Sequence, residues 1–225
     1  MTETRHSVEA IVPVRGLPAG KKRLAALLSV DQRNRLVRAM LSDVVETLRA
    51  APAVDAISIL SADAVAAREA ERLGVDFLRQ PEGVVGLNAG LAYAQEQVAG
   101  RSDALLIVPA DLPLVTPGDV ASLIAPLAPG PAVAIAPSRD NGTNGLFLRP
   151  PAAIAPAYGP ESASLHQEAA RRAGIAVHLV DEPRWRLDLD TPEDLGRLFE
   201  IAAEGSARHT LACLSQDDFP PLPQS

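Results

Sequence analysis

The stretch Ala104 to Val115, ALLIVPADLPLV, narrows the fold more than any other part of the chain. Leu105, Leu106, Ile107 and Val108 run on without polar alternation. That suits a strand buried on both faces, as in a parallel sheet covered by helices. The run stops at Pro109, and Asp111 follows. A carboxylate just past the C-terminal end of a buried strand sits where open α/β sheets bind their ligands. Thr116-Pro117-Gly118-Asp119 then opens a helix, with a cap, a proline at the first position and an acid in the first turn. A turn or capping role would also account for Asp111. What tells against it is a second acidic element far down the chain, Leu187-Asp188-Leu189-Asp190.

Strand and helix signals alternate around that centre. Val8 to Val14 reads as the first strand, and the loop after it, Arg15 to Arg23, holds two glycines, a proline and a cationic cluster. Backbone N–H groups and cationic side chains there could cradle a phosphate. Lys21 and Lys22 are the only lysines in a chain with nineteen arginines, which hints that a compact ammonium is wanted at this place. A solvated surface loop is the competing reading. Ser29 to Gln32 has the form of a capping box, and Leu36, Met40, Leu41, Val44 and Leu48 continue as an amphipathic helix in which Asp43 reads as a surface acid. A strand at Asp55 to Leu60, a helix at Ala64 to Leu73 ended by Gly74 and a strand at Val75 to Leu78 follow. The alternation predicts a single-domain, doubly wound, mostly parallel α/β sheet.

In the second half, Asn88 either caps a helix at Ala89 to Val98 or meets a base edge. Ala132 to Ala136 and Thr143 to Leu148 read as strands joined by an Asn141-Gly142 turn. Turn chemistry leaves Thr143 and Asn144 unexplained, and their side chains could meet a phosphate or carboxylate. Tyr158-Gly159-Pro160-Glu161-Ser162 leads into a helix at Ala163 to Ala173, where Ser162 is either an N-cap or part of an anion site. His166, one turn inside, reads as structural. Ile175 to Val180 is a strand, and Trp185 to Leu189 a short one that would point Asp188 and Asp190 the same way. Carboxylates without Cys or clustered His favour Mg²⁺ or Mn²⁺ over zinc. Residues 1–204 form the predicted domain, and 205–225, proline-rich at the end, a loosely ordered tail.

Composition excludes several classes. The 225 residues, 47% hydrophobic, suffice for one sizeable core and are short for two. A net charge of −7 offers no basic field to nucleic acid or an anionic membrane. No apolar run approaches the ~20 residues of a membrane span, and the polar start is unlike a signal peptide. With Cys213 alone, neither disulfides within one chain nor a cysteine-rich metal site can form, and the expected location is the cytoplasm.

The stretches IVPVRGLPAGKKRL, GLNAGLAYA, VPADLPLV, GTNGLFL, YGPESASLHQEAARRAG and LDLDTPEDL, in this order over roughly residues 9 to 198, resemble the CofC/FbiD family of guanylyltransferases. That family is related in fold to the molybdenum-cofactor nucleotidyltransferases and to nucleotide-diphospho-sugar transferases. The resemblance implies that GTP condenses with a small phosphorylated hydroxy or enol acid during coenzyme F-420 biosynthesis, pyrophosphate leaving. It implies Asp111, Asp188 and Asp190 as carboxylates for Mg²⁺ or Mn²⁺. Arg15, Lys21, Lys22, Arg23 and Asn88 become nucleotide contacts, with Lys21, Arg23 and Asp111 catalytic, and Thr143, Gly159 and Ser162 become contacts to the acid. Arg15 stands where the family usually has lysine, and Lys22 where it has a small residue. Attack by a phosphate oxygen on the α-phosphorus of GTP needs no general base, since a phosphate's second pKa is about 6.

GTNGL is closer to archaeal and proteobacterial forms, which ranks 3-phospho-D-glycerate and 2-phospho-L-lactate above phosphoenolpyruvate. The resemblance leaves a homodimer open and has the product passed to the next transferase of the pathway. Two rival readings are a molybdenum-cofactor nucleotidyltransferase and a non-catalytic nucleotide-binding module.

Overall fold

In the computed structural model, residues 6–15, 21–124, 129–202 and 205–220 are described. Strand β1 (Val8–Pro13) has Val8, Ala10 and Val12 in one apolar cluster and Ile11 in the other, on the opposite side of the sheet. Strand β4 (Ala104–Ile107) divides in the same way, Ala104 and Leu106 against Leu105 and Ile107. All four β4 side chains are fully buried, as an apolar run without alternation requires. Each buried leucine or isoleucine contributes about 1.5–3 kcal/mol to folding.

Between these two strands the chain first runs outward. Helix α1 (Val30–Ala50) opens on the Ser29/Gln32 capping box read from the sequence. Strand β2 (Ala56–Ser61), helix α2 (Ala64–Leu73), strand β3 (Asp76–Arg79) and helix α3 (Leu87–Ala99) follow, with Gly74 left-handed at the end of α2. After β4 come α4 (Pro117–Ile124), β5 (Ala132–Pro137), β6 (Thr143–Arg149), α5 (Ser162–Arg172), β7 (Val177–Leu179), α6 (Pro183–Arg186), α7 (Pro192–Ile201) and α8 (Arg208–Leu214). The strand order is β3-β2-β1-β4-β6-β5-β7. Pairing is parallel except where β6 runs against β4 and β5. The sheet is therefore mostly parallel and wound on both faces. Its order turns back between β1 and β4, and that switch point is where open α/β sheets form a ligand crevice. Among the described residues no helix is long and apolar enough to cross a membrane.

Three expectations need correction. No strand forms over Trp185 to Leu189: α6 takes up Trp185, and residues 187–190 lie outside the sheet. Nor are residues 205–220 a loose tail. Helix α8 packs on α1 with Thr210, Cys213 and Leu214 buried, and Phe219 joins the core cluster. The reason is Asp43, which is buried rather than a surface acid. Its carboxylate accepts the main-chain N–H groups of His209 and Thr210 (2.8 Å each) and the Thr210 hydroxyl (2.6 Å). It thereby satisfies the open first turn of α8.

Candidate active site

A cleft of about 390 Å³ opens at the switch point, lined by Val14 and Arg15 after β1 and by Pro109 to Asp111 after β4. Asp188 and Asp190 close a third side. Residues 187–190 have no strand partner, yet they are held at several points. The Leu189 N–H donates to the Asp111 carbonyl (3.1 Å), which ties the two acidic segments directly. The Asp190 N–H donates to Asp194 (3.1 Å), the acid of the Thr191 capping box that starts α7. Upstream, Arg184 makes two 2.7 Å bonds to Asp119, and Asn144 donates to the Trp185 carbonyl (2.7 Å). A Cβ at Gly145 would lie 3.1 Å from the Trp185 ring, Leu123 and Ala136 alike, so these side chains would have to shift by a few tenths of an ångström to admit one. Leu187 and Leu189 are buried, so the alternation expected of a strand survives without the sheet.

This scaffold brings Asp111, Asp188 and Asp190 together, with one carboxylate oxygen of each within 4.8 Å of the others. Oxygens around a small octahedral cation stand about 3–4 Å apart for bonds of 2.0–2.1 Å, so modest side-chain movement suffices to hold one. Lys21 supplies the neighbouring positive charge. Its ammonium bonds Asp111 (2.6 Å) and, more closely, Asp190. Burial works against that charge, and Asp111 and Asp190 outweigh it, so the Lys21 pKa lies above the ordinary lysine value. Asp188 is the uneasy member. Burial first, then repulsion from Asp111, pushes its pKa up. Three carboxylates against one ammonium leave the cluster short of positive charge. Lys21 reaches it from a left-handed backbone (φ 54°), an uncommon conformation for a residue with a side chain and one met at functional sites.

The remaining expected residues divide. Arg15 is exposed and lines the cleft. Lys22 and Arg23 sit exposed in the short 3-10 turn after Lys21, outside the cleft lining. Residues 16–20 of the expected phosphate cradle lie outside the described residues. Asn88 is not the cap of α3, a place Gly86 takes. Its side chain instead accepts the Tyr158 N–H (2.7 Å) and donates to the Tyr158 carbonyl (2.9 Å). That fastens the 157–161 loop beside the cleft and spends the amide on the protein itself.

Thr143 opens β6 at the C-terminal edge of the sheet, and both it and Ser162 are buried outside the cleft lining. Ile107 pairs with Leu146, so three residues on, Thr143 falls level with Ala110. Its hydroxyl lies 3.1 Å from Ser162 Oγ and 3.0 Å from His166 Nδ1. Gly159, at φ 143° and open on its Cα side, precedes them. Ser162 is not the N-cap of α5; Glu161 is, with a left-handed backbone. Tyr158 lines the cleft and sets its ring edge-on to His166, centroids 5.2 Å apart. Nothing in the residue order marks Tyr158 as part of the cleft wall. His166, read from the sequence as structural, is fully buried and bonds Thr143 and the Ala157 N–H.

A match to the family model of CofC-like guanylyl transferases runs over residues 8–219. The chain belongs to that family. The match extends to Phe219, through helix α8. Among relatives, a phosphoenolpyruvate guanylyltransferase of Sphaerobacter thermophilus is 42% identical over 200 residues, covering 88% of this chain and 95% of its own length. A 3-phospho-D-glycerate guanylyltransferase of Phenylobacterium zucineum is 36% identical over 213 residues, covering 92% and 95%. A solved structure from Desulfovibrio desulfuricans G20, described as a candidate nucleotide-diphospho-sugar transferase, superposes with a TM-score of 0.75 over 94% of both chains at 21% identity. That likeness is one of fold.

Proposed function

We propose that this CofC-like protein is a GTP-dependent guanylyltransferase acting on a small phosphorylated hydroxy or enol acid in coenzyme F-420 biosynthesis, with Mg²⁺ or Mn²⁺ as its cation. One observation carries the reading: the switch point of the sheet gathers Asp111, Asp188 and Asp190 around the Lys21 ammonium. An all-oxygen donor set suits a hard cation. Bound there, the cation would neutralise phosphate charge around the α-phosphorus of GTP.

The chain's own groups divide the remaining work. Lys21, held positive, and Arg15, at the mouth, are placed to draw in phosphate oxygens. Thr143 and Ser162, which the family resemblance assigns to the acid, bond each other in a buried cluster outside the cleft lining, so they would reach the acid only after a local movement. In the reaction an oxygen of the acid's phosphate forms a bond to the α-phosphorus. The bond from that phosphorus to the pyrophosphate bridge oxygen breaks, in line. The nucleophile is already largely ionised near neutrality, which fits a cleft with no acid–base pair beside a nucleophilic Ser or Cys among its described lining residues. Positioning and charge neutralisation then carry the rate.

On the identity of the acid, the relative named for phosphoenolpyruvate is more similar than the one named for 3-phospho-D-glycerate, 42% against 36%. This reverses the ranking drawn from GTNGL, and phosphoenolpyruvate becomes the first acid to assay. The test is pyrophosphate release from GTP and Mg²⁺ with phosphoenolpyruvate, 3-phospho-D-glycerate and 2-phospho-L-lactate in separate reactions. Release with one acid, abolished in Asp111→Ala, supports the reading and names the substrate. A folded protein that binds GTP and releases none with any acid would favour the non-catalytic module instead.

A further inference from the structure

Each acidic segment runs on into a helix start of the same form. Asp111 is followed by Thr116-Pro117-Gly118-Asp119 at the head of α4, and Asp190 by Thr191-Pro192-Glu193-Asp194 at the head of α7. In both, the aspartate accepts the threonine N–H (2.8 Å) and the threonine hydroxyl (2.7 Å for Asp119, 2.8 Å for Asp194). Asp119 and Asp194 are buried, and an aspartate is seldom buried without a charged partner. Each has an arginine. Arg139, from the turn between β5 and β6, gives Asp194 one bond of 3.1 Å. Arg184 gives Asp119 two, each 2.7 Å, one to either carboxylate oxygen. Burial works against the Asp119 charge, and the bonds from Arg184 and Thr116 outweigh it, so its pKa lies below the ordinary value.

The two arginines do different work. Arg139 fastens one helix start to a neighbouring turn. Arg184 lies on α6, just upstream of Asp188, and crosses to the helix start behind Asp111, so it joins the two acidic segments to each other. That matters because residues 187–190 have no strand partner and like charges on Asp111, Asp188 and Asp190 push the segments apart. Nearer the acids the segments are joined by the Leu189–Asp111 main-chain bond and by Lys21. Arg184 and Asp119 stand outside the cleft lining. We propose that Arg184, through its paired bonds to Asp119, is a positioning residue that holds Asp188 and Asp190 at the spacing from Asp111 that a divalent cation needs. The inference rests on the cation reading given above. A guanidinium suits the task, since its planar fork fixes both the distance and the orientation of a carboxylate, which an ammonium does not. Removing such a support behind a metal's own ligands commonly weakens the metal about 10- to 100-fold.

The experiment titrates Mn²⁺ alone into the full chain and follows the loss of the free-ion EPR signal, at a temperature where each variant is folded by circular dichroism. Arg184→Gln is expected to raise the Mn²⁺ Kd about tenfold or more. Arg184→Lys, which keeps the charge without the fork, should raise it about threefold or more, and it decides the matter if the Gln variant does not fold. The control is Arg101→Gln. It strips an arginine from another buried acid, Glu9 on β1, which has no tie to either acidic segment, and its Kd should stay within about twofold of wild type. An unchanged Kd in the Arg184 variants, or an equal rise in Arg101→Gln, would mean a general loss of stability and overturn the proposal. A wild-type protein that binds no Mn²⁺, or binds it as well after Asp188→Asn, would instead remove the cation reading and the proposal with it.

Discussion

At the mouth between β1 and β4 three carboxylates and one ammonium share a small volume, whereas the buried cluster between β6 and α5 is built from neutral groups. The charged side is held in place against its own repulsion. Four separate attachments fix residues 184–190, and Asp188 still has its pKa raised by burial and by Asp111. The neutral region has no such conflict, because His166, Thr143 and Ser162 bond one another. The crowded like charge of the first region is what the proposed cation would relieve, whereas the neutral region needs no added charge.

The largest effect that would break this contrast comes from the charged side. Asp188→Asn should lower turnover about 10³-fold or more, by analogy with the loss of a transition-state charge partner, and leave thermal stability unchanged or raised. A variant that lost stability along with activity would show the carboxylates to be structural.

Next in size is a pH effect confined to the neutral side. The folded-state pKa of His166, about 4, lies below its ordinary 6.5. Between those values the unfolded chain binds the proton and the native chain does not, so stability falls as pH drops through that window. The loss approaches about 3 kcal/mol near pH 4 and is absent above pH 6.5. Denaturant titrations at a series of pH values should show this slope in the wild-type protein and a slope reduced by that amount in His166→Asn.

Thr143→Val should cost about 1–3 kcal/mol of stability in denaturant titrations, because it leaves the buried His166 Nδ1 without its partner. No measurable loss would show that the neutral cluster does not depend on its mutual hydrogen bonds. The smallest effect belongs to Lys22→Ala and Arg23→Ala. Both side chains are exposed outside the cleft lining, and steady-state rates should change by less than about threefold, the size of a screened surface charge.

The sequence was most informative where local patterning and tertiary structure agree. The β4 apolar run, the Ser29 capping box and the glycine end of α2 each depend on neighbours within a few residues. Asp111, Asp188 and Asp190 were legible because the strand-end rule and the two-residue alternation locate side chains without knowledge of the partner strand. What the sequence hid depends on contacts far along the chain. Asp43 looked like a surface acid because its partners, His209 and Thr210, lie 166 and 167 residues away. Residues 205–220 looked loose for the same reason, since their anchor is on α1. Asn88 does not cap α3, and its amide bonds Tyr158, 70 residues off. His166 carried no sign of its tautomer, which is set by the main-chain N–H of a loop rather than by any side chain in its own helix.

The most direct test of the central claim is ³¹P NMR of the full protein mixed with GTP, Mg²⁺ and phosphoenolpyruvate. Attack at the α-phosphorus is expected to give two mutually coupled signals from a new diphosphate linkage, together with free pyrophosphate. Orthophosphate and GDP without the coupled pair would place the chemistry at the terminal phosphate and contradict guanylyl transfer.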